Sequence, residues 1–363
     1  MYGSGVGYIG QITVVSTDFI VMLAAIAVGS VLFLLLRLRT PRPRRLLWLN
    51  MAVSALLAIA LGADCVNAHY SYLPNIEDVV DAVGSKPPPV ATEVLARDSE
   101  RQESDGAMAR LPIPGRGSGL GDSAALVWLP PQYFRSATSR FPVLYLFHGS
   151  PGSPRDWFRS GRAGSIALAV SRQSKPVIVV APRMSRNWLD DSECVDGSSE
   201  KVETYLVRDV IPSVDATFRT QADRDGRIFA GMSAGGFCAL NLGLRHRDLV
   251  ATILDFSGLT EPTHSGGAKA LFGATPQLAE QVKANSPSFY ASSLSSQPTM
   301  RVWLDCGASD RSVLHELSSI MPKLRALGWP VETRTRPGGH SYAVWRAALR
   351  ESLPWALSGK AGH

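Results

Sequence analysis

Cysteine is scarce in this chain, which has four cysteines among its 363 residues. No two of them form a CxxC pair, and none is accompanied by histidines at the spacing of a metal site. The residues that usually hold a structural zinc ion or an iron–sulfur cluster are therefore missing. We predict no metal and no other cofactor.

Outside one cluster of arginines near the N-terminus, the chain also has no general excess of positive charge. The chain carries 37 Lys and Arg against 31 Asp and Glu, a net charge of +6. Residues 1–63 hold five of these basic residues and one acidic residue, Asp18, which leaves 32 against 30, or +2, for residues 64–363. A nearly neutral remainder has no basic face with which to displace counterions from phosphates, so a nucleic-acid partner is excluded.

Two long runs without a charged residue dominate the N-terminal part, Phe19–Leu36 and Leu46–Ala63. Each is close to the ~20 residues that cross a bilayer. Both are apolar on nearly all sides, whereas a core helix is usually amphipathic. No basic region precedes the first run, which argues against a cleaved signal peptide. Residues 1–63 are thus predicted to form a two-helix transmembrane anchor.

The segment between these runs, RLRTPRPRR, contains a cluster of arginines interrupted by two prolines. Short loops rich in arginine stay on the cytoplasmic side of a membrane. Both chain termini, and everything from Asp64 onward, should then face outward. The arginines of this predicted turn are Arg37, Arg39, Arg42, Arg44 and Arg45.

The rest of the chain divides into a tether and one folded domain. Residues 64–105 contain a proline triplet and no sustained apolar period, so we predict an extended tether. From residue 106 to 363, short apolar runs alternate with longer helix-compatible segments, which indicates an α/β domain with a mostly parallel sheet and helices on both faces. Its first two runs flank GRGSGLGD and should form an antiparallel edge hairpin. The polar insertion at 259–299 is predicted to form a cap.

One serine stands in a pattern typical of a nucleophile. Ser233 lies in GMSAGG, between a strand-like run and a helix-compatible segment. A serine on such a sharp turn needs very small residues two positions before and after it, and Gly231 and Gly235 meet that demand. The start of the helix also favours negative charge beside the serine.

A serine hydroxyl attacks an ester only when a base takes its proton and an acid orients that base. Among the seven histidines, His340 follows the last strand-like run in PGGHSYAVW, where this fold places its base. Asp310 follows the strand-like run ending in DCGAS and gives the order Ser–Asp–His of an α/β-hydrolase. Asp255 and Asp305 remain alternatives for the acid.

The negative charge that develops on the substrate needs two backbone donors. Ala234, next to the serine, should supply one of them, and Ser150 in the loop HGSPGSP the other, with Gly149 as the alternative. His148 in the same loop is interpreted as shaping it. Trp188 is a candidate for lining the acyl site.

These motifs, YLFHGSPG, GMSAGG, CGASD and GGHSYAVW, in this order after WLPPQYF, resemble the putative-esterase family, which includes esterase D (S-formylglutathione hydrolase) and the antigen 85 mycolyltransferases. The resemblance covers roughly residues 106–357 and implies carboxylic-ester chemistry on Ser233, Asp310 and His340, with oxyanion donors at Ser150 and Ala234. Antigen 85 enzymes differ in having a glutamate acid and no paired membrane helices. Membrane-tethered members that remove aminoacyl groups from phosphatidylglycerol have a more similar architecture.

The leading hypothesis is a membrane-anchored, outward-facing serine esterase that forms an acyl-enzyme. Its substrate would be a lipid-borne ester, such as an aminoacyl phospholipid, because the anchor confines the enzyme to the bilayer. An acyltransferase of the mycolyltransferase type and a non-catalytic envelope-binding protein are the alternatives. Outside the cytoplasm a disulfide is permitted. Either Cys194 bridges Cys306 or no disulfide forms, and Cys238 is expected to be buried and free.

Overall fold

The computed structural model describes residues 13–38, 44–84, 86–96, 104–187 and 190–359. The chain separates into two compact units. One extends to Lys86 and includes Ser341–Ala343, and the other comprises Pro87–His340 and the residues from Val344 onward.

The first unit contains two long apolar helices, Thr17–Leu38 and Arg44–Tyr70. At 1.5 Å per residue they are about 33 and 40 Å long, enough to cross the roughly 30 Å hydrocarbon core of a bilayer. Their apolar side chains lie mostly exposed, and Ser30 and Ser54 share a hydrogen bond of 2.8 Å between the helices. The second helix continues seven residues beyond the predicted end at Ala63. Arg39 and Arg42 of the predicted turn lie outside the described residues.

The segment predicted as a tether contains two further helices, Ile76–Gly84 and Ala91–Ala96. The first belongs to the N-terminal unit and is amphipathic by its sequence. The second belongs to the other unit, where Ala91 and Val94 are each 1% exposed within the main hydrophobic core. Residues 91–96 are therefore part of the folded unit that follows.

The second unit is built on one eight-stranded sheet in the order β1-β2-β4-β3-β5-β6-β7-β8. The first two strands form the antiparallel edge hairpin that the sequence predicts, and β2 also pairs antiparallel with β4. All pairs from β4 to β8 are parallel. The strands are β1 Ala107–Ile113, β2 Ser123–Leu129, β3 Val143–Phe147, β4 Ile178–Pro182, β5 Arg227–Met232, β6 Thr252–Phe256, β7 Arg301–Gly307 and β8 Val331–Arg336.

Burial follows the strand order. Strands β3, β4, β5, β6 and β7 are buried at every residue, as expected for central parallel strands covered on both faces. The edge strand β8 is polar at every residue after Val331 and is only partly buried. The mostly parallel α/β architecture predicted from the alternating pattern is confirmed.

Helices connect the strands. The helix after β5, Ala234–Arg245, is buried along nearly its whole length and therefore lies at the centre of the unit. The predicted cap between β6 and β7 consists of short helices, Gly267–Phe272, Leu278–Ala284 and Pro287–Tyr290. Further helices along the chain are Pro131–Arg135, Pro154–Phe158, Ala163–Gln173, Val202–Thr204 with a π-helix Tyr205–Val210, Ile211–Thr217, Arg311–Ala326 and Tyr342–Ser358.

The prediction about cysteines was wrong. Cys194 forms a disulfide with Cys238, 44 residues away, whereas Cys306 is buried and free and Cys65 is exposed. The helix after β5 brings Cys238 beneath the loop that carries Cys194, with 5.4 Å between the two Cα atoms. Sequence spacing alone contains no signal for this approach.

Candidate active site

The carboxyl ends of three parallel strands of the same sheet bring the candidate residues together. Ser233 follows β5, Asp310 follows β7, and His340 follows β8. Because the chain directions of these strands agree, their ends share one edge of the sheet, where open α/β sheets bind ligands.

Ser233 occupies the sharp turn that the sequence predicts. Its φ of 56° is rare for a residue other than glycine, and the helix Ala234–Arg245 begins directly after it. A Cβ atom at Gly231 would lie 1.8 Å from the Gly235 carbonyl oxygen, and one at Gly235 would lie 2.1 Å from the Phe147 carbonyl oxygen. Only glycine fits at either position, so the two glycines permit the turn that exposes the hydroxyl.

His340 links the serine to an acid. Its Nε2 atom lies 2.8 Å from Ser233 Oγ, and its Nδ1 atom lies 2.6 Å from Asp310 Oδ2. Since the carboxylate can only accept, Nδ1 carries the proton and Nε2 is left to accept the serine proton. The Trp345 ring packs nearly perpendicular to the imidazole, with 4.9 Å between ring centroids, and its indole N–H donates to Ser257 Oγ. Trp345 thus fixes the plane of the imidazole.

Asp310 reaches His340 because the loops after β7 and β8 pack closely. A Cβ atom at Gly307 would lie 2.5 Å from the Gly338 carbonyl oxygen, and that oxygen accepts the Ser309 amide at 2.9 Å. This contact holds the short loop carrying Asp310 against the loop that leads to His340.

The two alternative acids are engaged elsewhere. Asp305 is fully buried and accepts hydrogen bonds from Arg336 and from the Trp303 indole. Asp255 is also fully buried and accepts the Gly258 amide at 2.7 Å. Burial raises the pKa of Asp255 to about 7. Neither carboxylate hydrogen-bonds to His340.

The serine and the imidazole open into a cleft of about 360 Å³. Ser150 and Ala234, whose amides are the predicted oxyanion donors, both line this cleft. A Cβ atom at Gly149 would lie 3.4 Å from Ser233 Cβ, so the backbone of this loop passes directly beside the serine. Trp188 lies outside the described residues.

Two carboxyl groups in the same cleft were not singled out by the sequence analysis. Asp191 and Glu193 both line it. Burial raises the pKa of Glu193 to about 8, and repulsion from Asp191 adds to the shift. Burial also raises the pKa of Asp191. In the sequence they lie in the acidic run DDSE beside Cys194. Such a run is equally typical of an ordinary polar loop.

The loop that carries these carboxyl groups is held firmly. Glu193 and Cys194 both have positive φ, at 49° and 51°, although neither is glycine. Glu193 Oε1 accepts the Thr263 amide at 2.7 Å. The disulfide from Cys194 to Cys238 ties the loop to the helix that begins after Ser233. The carboxyl groups are therefore fixed relative to the serine.

Comparison with known proteins identifies the family of this chain. The family model described as Putative esterase matches residues 121–356. The chain belongs to the Putative esterase family. It is a serine hydrolase of the carboxylic-ester class, so the predicted family and enzyme class are confirmed.

Two similar proteins come from bacteria. An uncharacterized protein of Corynebacterium glutamicum is 29% identical over 354 residues, covering 92% of this chain and 79% of that protein. An esterase of Mycobacterium tuberculosis is 26% identical over 254 residues, which cover 61% of this chain and about half, 54%, of that protein.

Solved structures confirm the α/β-hydrolase fold. A ferulic acid esterase superposes with a TM-score of 0.61 at 25% identity, covering 70% of this chain and 98% of that one. An S-formylglutathione hydrolase from Staphylococcus aureus gives a TM-score of 0.56 at 19% identity, covering 69% of this chain and 99% of that one.

Proposed function

We propose that this esterase is anchored in a membrane with its catalytic unit on the outer side, and that it cleaves a lipid-borne aminoacyl ester through an acyl-enzyme on Ser233. The observation that carries the catalytic part is the continuous hydrogen-bonded chain from Ser233 through His340 to Asp310, open to a cleft.

Acylation begins at the serine hydroxyl. His340 Nε2 takes the proton as Oγ bonds to the ester carbonyl carbon, and the carbonyl π electrons move to its oxygen. The Asp310 carboxylate holds the imidazole in the required tautomer and stabilises the imidazolium. The intermediate then collapses, the bond to the alcohol oxygen breaks, and His340 returns the proton to the leaving alcohol.

Deacylation repeats these steps with water. His340 takes a proton from a water molecule whose oxygen attacks the acyl carbon, and Ser233 leaves with that proton while the free acid departs. In both halves the amides of Ser150 and Ala234 would donate to the oxyanion. Removing one such donor typically costs about 2.7–4 kcal/mol of transition-state stabilisation.

Two features support an outward-facing membrane enzyme. The helices Thr17–Leu38 and Arg44–Tyr70 are long enough to span a bilayer, and their apolar side chains lie mostly exposed. The Cys194–Cys238 disulfide suits an oxidising compartment, because cytosolic thiols are generally kept reduced. An anchor of this kind confines the catalytic unit to the membrane surface, where lipid esters are concentrated.

The carboxyl groups of the cleft support an acyl group with a positive charge. An ammonium group beside Asp191 and Glu193 would hold both as carboxylates, because it would offset the burial and the repulsion from Asp191 that together raise the pKa of Glu193. The α-amino group of an aminoacyl ester is such a cation. A neutral acyl chain would leave the repulsion between Asp191 and Glu193 in place.

The test compares an alanyl ester with its N-acetylated analogue, both with the same alcohol. We expect Asp191→Asn to lower kcat/KM for the alanyl ester by about tenfold or more and to leave the acetylated ester nearly unchanged. Asp190→Asn is the matched control, since Asp190 is exposed and hydrogen-bonds to Asn187. Equal effects of Asp191→Asn on both esters would contradict recognition of an ammonium group.

Hydrolysis is separated from acyl transfer by the product. With a labelled acyl donor and added alcohol acceptors, the proposal predicts label only in the free acid. Label in a new ester would identify an acyltransferase working through the same acyl-enzyme.

A further inference from the structure

Ser257 directly follows β6 and has a backbone conformation that is rare for its residue type. Its φ is 59°, which glycine would adopt without a steric cost. Other residues keep a positive φ only where their surroundings impose it, and they are concentrated at active sites. Here the next residue, Gly258, packs so closely that a Cβ atom on it would lie 2.3 Å from the Phe237 amide nitrogen. What serine supplies at this position, and glycine would not, is a hydroxyl group.

The hydroxyl group of Ser257 is bonded to the residue that packs on the catalytic base. Its Oγ atom accepts the indole N–H of Trp345 at 3.1 Å. Trp345 is only 4% exposed, and a buried indole N–H needs an acceptor. The indole ring in turn lies nearly perpendicular to the imidazole of His340, with 4.9 Å between the ring centroids. The hydroxyl group therefore fixes the ring that fixes the imidazole.

The backbone at Ser257 is also bonded to the strands and turns that carry the other two members of the triad. The Ser257 amide donates to the Asp305 carbonyl oxygen at 2.8 Å, in β7, the strand that leads to Asp310. The carbonyl oxygen of the preceding residue, Phe256, accepts the Ser233 amide at 2.9 Å. The hydroxyl group of Ser257 is thus held at a fixed place relative to the nucleophile and the acid.

We propose that Ser257 is a positioning residue of this esterase. Its hydroxyl group holds the Trp345 indole, and the indole keeps the His340 imidazole in the plane from which Nε2 faces Ser233 Oγ. Ser257 borders the cleft but is only 1% exposed, so it acts through Trp345 and not on the substrate. The proposal does not depend on the lipid substrate or on the membrane anchor.

The same imidazole transfers protons in acylation and in deacylation, so a less well fixed ring should slow both steps alike. Equal slowing of both steps lowers kcat and leaves KM nearly unchanged. A change in the shape of the cleft would instead raise KM, because it would weaken the binding of the ester.

The experiment measures hydrolysis of p-nitrophenyl acetate by the full-length chain in detergent, with thermal unfolding of each variant. Ser257→Ala removes the hydroxyl group, and Ser257→Gly removes it together with the backbone strain. Trp345→Phe keeps an aromatic ring beside His340 and removes the indole N–H. Ser171→Ala is the matched control, at a buried serine of helix Ala163–Gln173 that does not line the cleft.

We expect Ser257→Ala and Ser257→Gly each to lower kcat by roughly three- to tenfold, the effect of one lost hydrogen bond, and to change KM by less than about twofold. In the Trp345→Phe background the N–H is already absent, so Ser257→Ala should lower kcat no further. Ser171→Ala should leave kcat unchanged.

Three results would overturn the proposal. A folded Ser257→Gly variant with wild-type kcat would show that the hydroxyl group is not needed for catalysis. An equal fall in kcat on adding Ser257→Ala to the wild-type and Trp345→Phe chains would show that Ser257 does not act through the indole. A rise in KM at unchanged kcat would show that Ser257 shapes the cleft and does not position the imidazole.

Discussion

Ser233 combines a strained backbone with a hydroxyl group that reaches both an imidazole and a cleft. A non-glycine residue at positive φ costs on the order of 1–3 kcal/mol and persists only when its surroundings impose it. Here the imposing contacts are those at Gly231 and Gly235, which leave no room for a side chain. These residues could be identified from sequence because the constraint is local: a turn this sharp needs glycine at fixed offsets.

The acid was harder to identify from sequence. Asp255, Asp305 and Asp310 all lie at or near strand ends, and their difference is a matter of three-dimensional contacts. Asp305 forms an ion pair with Arg336, whereas Asp310 lies on the loop that packs against Gly338. Order along the chain favoured Asp310, but it contains no information on these contacts.

The first prediction separates Asp310 from Asp305. Asp310→Asn should lower kcat by about 10⁴-fold, because an amide no longer selects the imidazole tautomer that accepts the serine proton. Asp305→Asn should instead lower the free energy of unfolding by roughly 1–3 kcal/mol, with kcat changed less than about tenfold. Steady-state ester hydrolysis and thermal unfolding of both variants test this. A larger loss of kcat in Asp305→Asn would contradict the assignment.

The second prediction concerns the pH dependence of stability. Burial, together with Asp305 and Glu316, raises the pKa of Asp255 to about 7, above its ordinary value. The folded state then holds this proton more tightly than the unfolded chain, so Asp255 contributes a loss of stability as pH rises from about 4 through 7. Asp255→Asn cannot ionise and should lose less stability over that range. Unfolding midpoints measured from pH 5 to 8 check this, and parallel profiles would contradict it.

At the scale of elements, the alternation of strand-like and helix-like runs was sufficient to predict the sheet. Central strands such as β3 and β4 are continuous apolar runs, and this pattern is typical of buried parallel strands. The acidic loop was not predictable in the same way. The position of its two carboxyl groups beside the serine depends on the disulfide. That bridge joins residues 44 positions apart.

The third prediction addresses this disulfide. Replacing Cys194 and Cys238 together by serine should lower the free energy of unfolding by about 2–4 kcal/mol, since the cross-link closes a long loop in the unfolded chain. It should also raise KM for the alanyl ester, because Asp191 and Glu193 lose their attachment to the helix. Cys65→Ser, at an exposed and free cysteine, is the control. A double variant with wild-type stability and KM would show that the bridge does not position the loop.

At the scale of the whole molecule, the two long apolar helices could be predicted from the sequence, whereas the short helix 91–96 could not. The helices were recognisable because length and hydropathy are properties of a contiguous segment. The end of the second helix was misplaced by seven residues, since Asp64 and the polar residues after it continue the helix to Tyr70. Helix 91–96 was missed because only tertiary packing of Ala91 and Val94 stabilises so short a segment.

The fourth prediction concerns orientation. The arginine-rich segment between the helices should stay cytoplasmic, so the C-terminus should lie on the outer side. An alkaline phosphatase fused after residue 363 should be active, and a green fluorescent protein fused there through the general secretory route should be dark. A fluorescent fusion without phosphatase activity would place the catalytic unit inside the cell and contradict the proposed orientation.

The central claim is that His340 activates the hydroxyl group of Ser233, and covalent labelling tests it most directly. A fluorophosphonate probe should modify the full-length chain at Ser233, located by peptide mass spectrometry. His340→Ala should slow this labelling by at least about 10³-fold, whereas Ser312→Ala, at another serine of the cleft, should not. A folded wild-type chain that takes no label at Ser233, or that labels equally fast without the imidazole, would contradict the account.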